Sequence, residues 1–402
     1  MDSRPVPVEA DEEPRSPWMT IVIVYAGGVV AAMSLGKFAS VGPAVAGQLG
    51  LSLSQLGWVI SAVVGVGAVA GLPAGFLVRR FGTDRSLVTG LALVAAASAA
   101  SMAAGNFGWL LAARGVEGIG YVLIIISGPA LILRLARERD RGAALSVWAT
   151  FVPVGIGAST LAGGMAGDTL GWRGWIGVIA GLTFAMALVV RARLPRGSGL
   201  PATAGGVPGA RALAWPGVLA AAFCLAVLVT LPVVVLLPTL LIEQYGRPAA
   251  AAGALTSVIS LLGVAGGLAM GVLLRKRVSV AALALSGLVV LPAAWLLYSG
   301  GSPAAALTGA GVVSLMNGFL GALVFAALPL VLDHLDHADV GNGVIAQTGS
   351  LGSLLGPPLF GLVASELGYP ALIPVIAVGT VAAVGALLLV SRRAARTFSP
   401  SE

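Results

Sequence analysis

Long apolar stretches alternate with short polar segments along the whole chain. Twelve of them are long enough to cross the hydrocarbon core of a membrane as helices, which takes roughly 20 apolar residues. None shows the alternation of apolar and polar residues that is typical of barrel strands, so helices are predicted throughout. The predicted spans are 18–47, 53–78, 86–105, 107–133, 142–166, 172–191, 214–242, 249–274, 279–299, 304–331, 341–365 and 369–391.

Basic residues are distributed unequally between the two sides of these spans. With the N-terminus placed inside, nineteen of the 23 Lys and Arg residues fall in inner segments, whereas only Arg173 and Arg247 fall in outer loops. Cytoplasmic loops of membrane proteins carry such an excess of positive charge. The sequence therefore predicts a multi-pass protein of a bacterial inner membrane with both termini in the cytoplasm.

One ten-residue stretch recurs at half the chain length. Residues 71–80 (GLPAGFLVRR) and 267–276 (GLAMGVLLRK) share five identical positions, and both end an apolar run with basic residues. Repetition at this spacing indicates two copies of one unit, and paired hydrophobic repeats are typical of secondary transporters. The predicted organisation is a cytoplasmic tail, a six-helix half, a cytoplasmic linker, a second six-helix half and a cytoplasmic tail, at 1–17, 18–191, 192–213, 214–391 and 392–402.

The composition excludes a soluble protein. Hydrophobic residues make up 58% of the 402 positions and charged residues 10%, whereas soluble domains carry roughly 25% charged residues. The formal charge of +7 does not indicate nucleic-acid binding, because the basic residues stand in short clusters between apolar spans. The expected partners are the lipid bilayer and a small solute. No cofactor is expected, and without a Walker-type phosphate loop ATP cannot drive the protein directly.

Two motifs in the first half carry a family resemblance. Residues 75–85 (GFLVRRFGTDR) fit the pattern Gly-x-Leu-Ala-Asp-Arg-x-Gly-Arg-Lys, with Arg79 at the acidic position and an acid later, at Asp84. Residues 111–120 (LAARGVEGIG) are similar to a second motif, with Glu117 where Gln is commoner. On these residues the chain resembles the major facilitator superfamily. The loop positions that fit are Gly75, Arg79, Arg80, Gly82, Asp84 and Arg85.

This resemblance implies an all-α membrane protein of twelve helices in two pseudo-symmetric halves, which functions as a monomer and is not an enzyme. A third family motif, Gly-x-x-x-Gly-Pro, marks the fifth span of proton antiporters but stands here at 352–357, in the eleventh span. Its displacement argues against a typical drug/proton antiporter. Residues 37–43 and 237–243 are further similar to anion carriers of the cyanate and monocarboxylate type.

Charged residues inside the spans are the first candidates for substrate binding. Placing a charged side chain in a membrane span costs at least ~2.5–3.5 kcal/mol on insertion scales, so its presence there indicates a function or a partner. Lys37 either faces a central cavity and attracts an anion, pairs with an acid on another helix, or reaches toward the outer interface. Arg114 and Glu117 share one helix face, which Tyr121 continues. They form either a substrate site in which Glu117 takes the coupling proton, or a structural ion pair.

Three uncharged side chains are further candidates for substrate binding. Trp148 begins an aromatic-then-small face of the fifth span, which lines a cavity or packs against a neighbour. Asn317 and Gln347 are single amides in apolar surroundings. Each hydrogen-bonds either a substrate or another helix.

The loop after the tenth span holds acids and histidines but no Lys or Arg. We expect its acids, Asp333 and Asp336, to meet the basic turn of Arg79, Arg80 and Arg85. Such pairs would hold the inner gate shut while a carrier faces outward. No metal site is expected, because a short exposed loop offers no fourth rigid ligand.

These features predict a secondary active transporter that moves a small anionic organic solute by alternating access, with Glu117 as the candidate for proton coupling. The preference for an anion depends on the surplus of positive charge that Lys37 and Arg114 have over Glu117. One alternative is a proton-coupled exporter of drugs or amphipathic compounds. Another is a membrane receptor or scaffold that transports nothing.

Overall fold

A computed structural model describes residues 17–194, 208–247 and 249–397, and within these ranges all regular structure is helical. Short 3₁₀ turns at 287–289, 328–330, 335–337 and 369–371 interrupt or join the helices. The α-helices are α1 (Trp18–Leu49), α2 (Leu53–Phe81), α3 (Thr83–Met102), α4 (Phe107–Leu135), α5 (Glu138–Trp148), α6 (Phe151–Arg193), α7 (Ala214–Tyr245), α8 (Ala249–Arg275), α9 (Val280–Ser286), α10 (Val290–Tyr298), α11 (Pro303–Ala327), α12 (Ala338–Leu367) and α13 (Leu372–Thr397).

Local sequence explains where several helices begin. Ser52 and Gln55 form a reciprocal capping box at the start of α2, which satisfies two backbone N–H groups that have no partner within the helix. The Asn106 side chain accepts a hydrogen bond from the Trp109 N–H at the start of α4, at 2.9 Å. Ser302 caps α11 in the same way, directly before Pro303.

Eleven helical segments of the described ranges are long and apolar enough to cross a membrane. The remaining predicted span, 341–365, lies in α12, which is helical for 30 residues but contains no stretch as apolar as those of the eleven segments. The polar residues of α12 include Asp339 and Asn342, which are buried, and the helix packs against α2, α4 and α7. Polar side chains are tolerated at such positions because protein rather than lipid surrounds them.

The predicted fifth and sixth spans, 142–166 and 172–191, are divided differently in the structure. The fifth begins in α5 and continues in α6 after a break at Ala149 and Thr150. α6 then continues into the sixth predicted span, with Gly171 in the left-handed region at φ 66° between the two. A residue without a Cβ adopts that conformation at little cost.

Each half of the molecule has its own apolar core. One cluster is drawn from α7 to α13 around Val229 and Phe360, and two others are drawn mainly from α1 to α6 around Trp148 and Trp175. The predicted linker, 192–213, falls between α6 and α7, and its residues 195–207 lie outside the described ranges. The predicted tails lie outside as well, except that Pro17 is described and α13 continues to Thr397.

The two halves meet along a seam between α2 and α12. A Cβ added to Gly71 would lie 2.6 Å from the backbone nitrogen of Gln347, and one added to Gly75 would lie 3.2 Å from the Cα of Gly343. A Cβ added to Gly65, further from Arg79 along the same helix, would meet nothing within 4 Å. The close approach of α2 to α12 therefore includes the part of α2 near the basic loops 79–85, 134–141 and 275–277. We call the end of the molecule that carries these loops the basic end.

A second seam joins α5 of the first half to α8 of the second. A Cβ added to Gly267 would lie 2.9 Å from the Cγ2 of Thr150, and one added to Gly271 would lie 3.1 Å from the Cβ of Ser146. The glycine pair that recurs in the sequence therefore lies between the halves in both copies. Both seams are closed at the basic end.

Candidate functional site

Four buried side chains form a charged cluster inside the first half: Lys37 of α1, Ser98 of α3, and Arg114 and Glu117 of α4. All four are fully buried. Lys37 Nζ lies 2.7 Å from Glu117 Oε1, and Arg114 Nη1 lies 2.7 Å from Glu117 Oε2. One carboxylate therefore bridges two cations from different helices. The pairing of Lys37 with an acid on a neighbouring helix is one of the alternatives left open above, and Lys37 is not an uncompensated cation.

Arg114 also bonds the cluster to the backbone of α1 and of one further helix, α2. Its Nε donates to the carbonyl of Val59 at 2.9 Å, and Nη1 donates to the carbonyl of Ser34 at 3.0 Å. The ring of Phe38 lies beside both cations, with its centroid 5.1 Å from Arg114 Cζ and 5.4 Å from Lys37 Nζ. The cluster thus connects α1, α2, α3 and α4, on the far side of their midpoint from the basic end.

Ser98 is a member of the cluster that sequence reasoning missed. Its hydroxyl accepts a hydrogen bond from Lys37 Nζ at 2.8 Å and donates one to Glu117 Oε1 at 2.9 Å. In the sequence it resembles Ser101, whose hydroxyl donates to the carbonyl of Ala97 one turn earlier. Nothing local to α3 distinguishes the two serines, because the partners of Ser98 lie on other helices.

The cluster contains two positive charges and one negative charge while Glu117 is ionised. Removing one partner of a buried ion pair costs ~3–5 kcal/mol, because the other charge stays buried without compensation. Protonation of Glu117 would neutralise its carboxylate, so that Lys37 and Arg114 would lose their compensating negative charge at the same time. The cluster can therefore stabilise the first half in its present form, and it can also respond strongly to a proton or an anion.

The two aromatic candidates lie in the packed interior of the first half. Tyr121 is 6% exposed and Trp148 is fully buried. The Trp148 ring stacks on Phe151 with a centroid separation of 4.5 Å, and a Cβ added to Gly28 would come within 2.7 Å of it. In this conformation Trp148 packs against its neighbours, which is the alternative to lining a cavity.

The two amide candidates bond to helices. The Thr230 hydroxyl donates to Asn317 Oδ1 at 2.8 Å, which joins α7 to α11 within the second half. Gln347 Oε1 accepts from the backbone N–H of Leu72 at 3.1 Å, so this bond crosses the α2–α12 seam. Both side chains are half-buried.

Polar contacts at the basic end also join the two halves. Arg134 Nη2 of α4 lies 2.8 Å from Asp339 Oδ2 of α12, and Arg79 donates a hydrogen bond to the backbone carbonyl of Asp336. Sequence reasoning expected the acids of this loop near Arg79, but it did not single out Arg134 or Asp339. Their pairing depends on how the halves dock, and no sequence motif records that.

The remaining motif residues shape the loop between α2 and α3. Gly82 has φ 93° and separates the two helices, a conformation that favours glycine. Asp84 Oδ1 accepts from the Arg85 backbone N–H at 2.8 Å, and Arg80 lies over the ring of Phe81. Asp333 is exposed.

The family model described as Major Facilitator Superfamily matches residues 24–357, which is most of the chain. The chain belongs to the major facilitator superfamily. Its all-α fold of twelve membrane-spanning helices in two six-helix halves, expected from the motifs, is confirmed, and so is its nature as a multi-pass membrane transporter. Members of this family are transporters rather than enzymes, and they act on small molecules.

A full-length relative is the 3-(3-hydroxy-phenyl)propionate transporter of Escherichia coli (strain K12). It is 30% identical over 395 residues, which span 92% of this chain and 89% of that protein. The galactose-proton symporter of the same strain is 27% identical over 152 residues, 38% of this chain and 33% of that protein. Among solved structures, the transporter FucP in the outward conformation superposes with a TM-score of 0.74 at 16% identity, covering 94% of this chain and 99% of that one.

Proposed function

We propose that the protein is a secondary active transporter that moves a small organic carboxylate by alternating access and couples this movement to protons. The observation that carries the proposal is the similarity, over nearly the full length of both chains, to a transporter named for an aromatic carboxylate. The partial similarity to a sugar–proton symporter supports proton coupling. We further propose that the protein functions as a monomer.

The charge balance of the cluster supplies a mechanism for that coupling. When Glu117 takes a proton, Lys37 and Arg114 lose their carboxylate, and the carboxylate of a substrate is the natural replacement. Proton uptake and anion binding would then favour each other, because each removes the cost that the other creates. Since the cluster is fully buried here, the exchange requires a conformation in which the packing around it loosens.

The basic end supports one orientation of the protein in the membrane, and the closed seams support one state of the transport cycle. We propose that the basic end faces the cytoplasm of a bacterium, together with both termini, because positive charge is retained on that side. The seams closed at this end then correspond to an outward-facing carrier. Reporter fusions after Arg196 should report cytoplasm and fusions near Arg247 should report the outside, and exchanged results would reject this orientation.

Uptake into proteoliposomes tests the substrate and the coupling together. The probes are 3-(3-hydroxyphenyl)propionate and its primary amide, which has nearly the same shape but no charge. We expect accumulation of the carboxylate when the outside is acidic, its collapse on addition of a protonophore, and no accumulation of the amide. Equal uptake of both probes would reject an anion carrier.

The Glu117→Gln variant tests the coupling residue in the same assay. It should abolish proton-driven accumulation, whereas the control Glu243→Gln should retain it, because Glu243 is exposed and bonds Tyr369 within the second half. Proton-driven accumulation by Glu117→Gln at the wild-type level would remove Glu117 from the coupling mechanism.

The pairing of Lys37 also favours a second candidate function, the proton-coupled export of neutral or amphipathic compounds. A compensated Lys37 offers less attraction to an anion than a solitary cation would. Lys37→Ala distinguishes the two functions. It should abolish carboxylate uptake by an anion carrier, but it should leave the efflux of a lipophilic dye unchanged if the protein is an exporter.

A further inference from the structure

Ser98 has a chemical property that the charged residues around Glu117 do not share. Lysine and arginine side chains carry hydrogen-bond donors and no acceptors, whereas a serine hydroxyl offers one donor and two acceptor lone pairs. Among the described residues, the side chains hydrogen-bonded to Glu117 are Lys37, Ser98 and Arg114. Ser98 is therefore the member of this set that can accept a hydrogen bond.

In the present arrangement the hydroxyl serves the ionised form of the carboxylate. It accepts from Lys37 Nζ at 2.8 Å and donates its proton to Glu117 Oε1 at 2.9 Å. A protonated Glu117 would carry a buried O–H that needs an acceptor, because a buried donor left unsatisfied is destabilising. Rotation of the Ser98 hydroxyl about its Cβ–Oγ bond would turn its own proton toward the carbonyl one turn earlier in α3, the kind of bond that Ser101 makes, and would free a lone pair of Oγ as the acceptor for Glu117 without any movement of the backbone.

We propose that Ser98 is a positioning residue for proton coupling: it supplies the acceptor that lets Glu117 hold a proton inside the cluster. The inference rests on the proposed role of Glu117 as the coupling site. It assigns Ser98 two states, a donor to the carboxylate and an acceptor from the carboxylic acid. The proton itself comes from solvent, and no bond other than the O–H of Glu117 is formed.

The direction in which the midpoint of Glu117 protonation moves distinguishes this role from that of a donor to the carboxylate only. In Ser98→Ala, both oxygens of ionised Glu117 keep an ion pair, but the O–H of protonated Glu117 loses its acceptor. The midpoint of protonation should therefore move to lower pH, by about one unit if the difference is ~1.4 kcal/mol. If Ser98 acted only as a donor to the carboxylate, the midpoint would move to higher pH instead.

Infrared titration of the purified carrier measures this midpoint without any substrate. The C=O band of a protonated carboxyl is followed against pH, and the difference between wild type and Glu117→Gln isolates the band of Glu117. Ser98→Thr, which keeps the hydroxyl, should titrate like wild type. The matched control is Ser101→Ala, which removes another fully buried hydroxyl from α3. Among the described residues this hydroxyl bonds its own helix alone, so the variant should leave the midpoint unchanged.

The inference is supported if the midpoint moves to lower pH in Ser98→Ala and stays in place in Ser98→Thr and Ser101→Ala. A midpoint in Ser98→Ala that moves to higher pH, or does not move, overturns it. If Ser98→Thr does not fold, as judged by its melting temperature, the comparison of Ser98→Ala with Ser101→Ala still decides the sign. Absence of a titrating Glu117 band in wild type would overturn both this inference and the coupling role of Glu117. A normal wild-type band without a shift in Ser98→Ala would overturn the role of Ser98 alone.

Discussion

The ion pair between Arg134 and Asp339 is the contact whose removal should most clearly change the conformation of the carrier. It joins α4 of the first half to α12 of the second, at 2.8 Å, with Asp339 1% and Arg134 16% exposed. The second carboxylate oxygen of Asp339 has no hydrogen-bond partner among the described residues. In Asp339→Asn, Arg134 keeps its charge but loses its ion pair with this carboxylate.

The size of the effect follows from the burial of the pair. Loss of one partner from a buried pair costs ~3–5 kcal/mol, but Arg134 is partly exposed and lies 3.5 Å from the Thr83 hydroxyl, so we expect about 2 kcal/mol. This cost falls only on the state that is closed at the basic end, because water replaces the pair once the halves separate. At ~1.4 kcal/mol per tenfold change, the open population should rise about thirtyfold.

A single reporter cysteine measures this population. Ser146→Cys is placed in a Cys224→Ser background, since Cys224 is the chain's one cysteine. Ser146 is buried at the α5–α8 seam beside Gly271, so a water-soluble maleimide reaches it only when the basic end opens. Asp339→Asn should accelerate labelling about thirtyfold if opening limits the rate.

Two comparisons make the result specific to the ion pair. The control Asp84→Asn removes a carboxylate that bonds within its own loop and should leave the labelling rate unchanged. The exchanged variant Arg134→Asp/Asp339→Arg should restore most of the slow rate. Unchanged labelling in Asp339→Asn, or equal acceleration in Asp84→Asn, would refute the reasoning.

Three further predictions concern the seam, the cluster and the loop. Gly71→Ala places a Cβ against α12 and should raise the reporter's labelling severalfold, whereas Gly65→Ala on the same helix meets open space and should not. In thermal unfolding, Glu117→Gln should lower the melting temperature more than Lys37→Met, because the first leaves two buried cations unpaired and the second leaves one ion pair intact; the opposite order would reject the charge accounting. Asp336→Lys should raise labelling by placing a cation near the seam, and an unchanged rate would mean that this acid is simply solvated.

The helices and their grouping were accessible from the sequence because they depend on local properties. The twelve apolar spans are set by membrane thickness, and the recurring glycines, Gly71 with Gly75 and Gly267 with Gly271, mark the helix faces that approach one another. The spacing of Arg114 and Glu117 likewise fixes their pairing on one helix face. The structure agrees with these predictions, apart from the breaks and extensions of α5, α6 and α13, the 3₁₀ turn that divides span 279–299 into α9 and α10, and the more polar composition of the span in α12.

The partners of the charged residues were not accessible, since they lie far apart in the chain. Glu117 is 80 positions from Lys37, and Asp339 is 205 positions from Arg134. A pair between the halves also depends on how the halves dock, so no fixed spacing could indicate it. The backbone contact between Arg79 and Asp336 shows a further limit, because every residue has a carbonyl and the sequence does not mark which one is used.

The glycine seams have a consequence for the energy of closing. Side chains buried on docking lose up to ~2 kcal/mol of rotamer entropy each, whereas glycine loses none. The halves therefore close at Gly71, Gly75, Gly267 and Gly271 without that loss, and they gain correspondingly little apolar burial at the same points. In the proposed cycle this would keep the open and closed forms close in free energy, so that the binding energy of a transported solute decides between them.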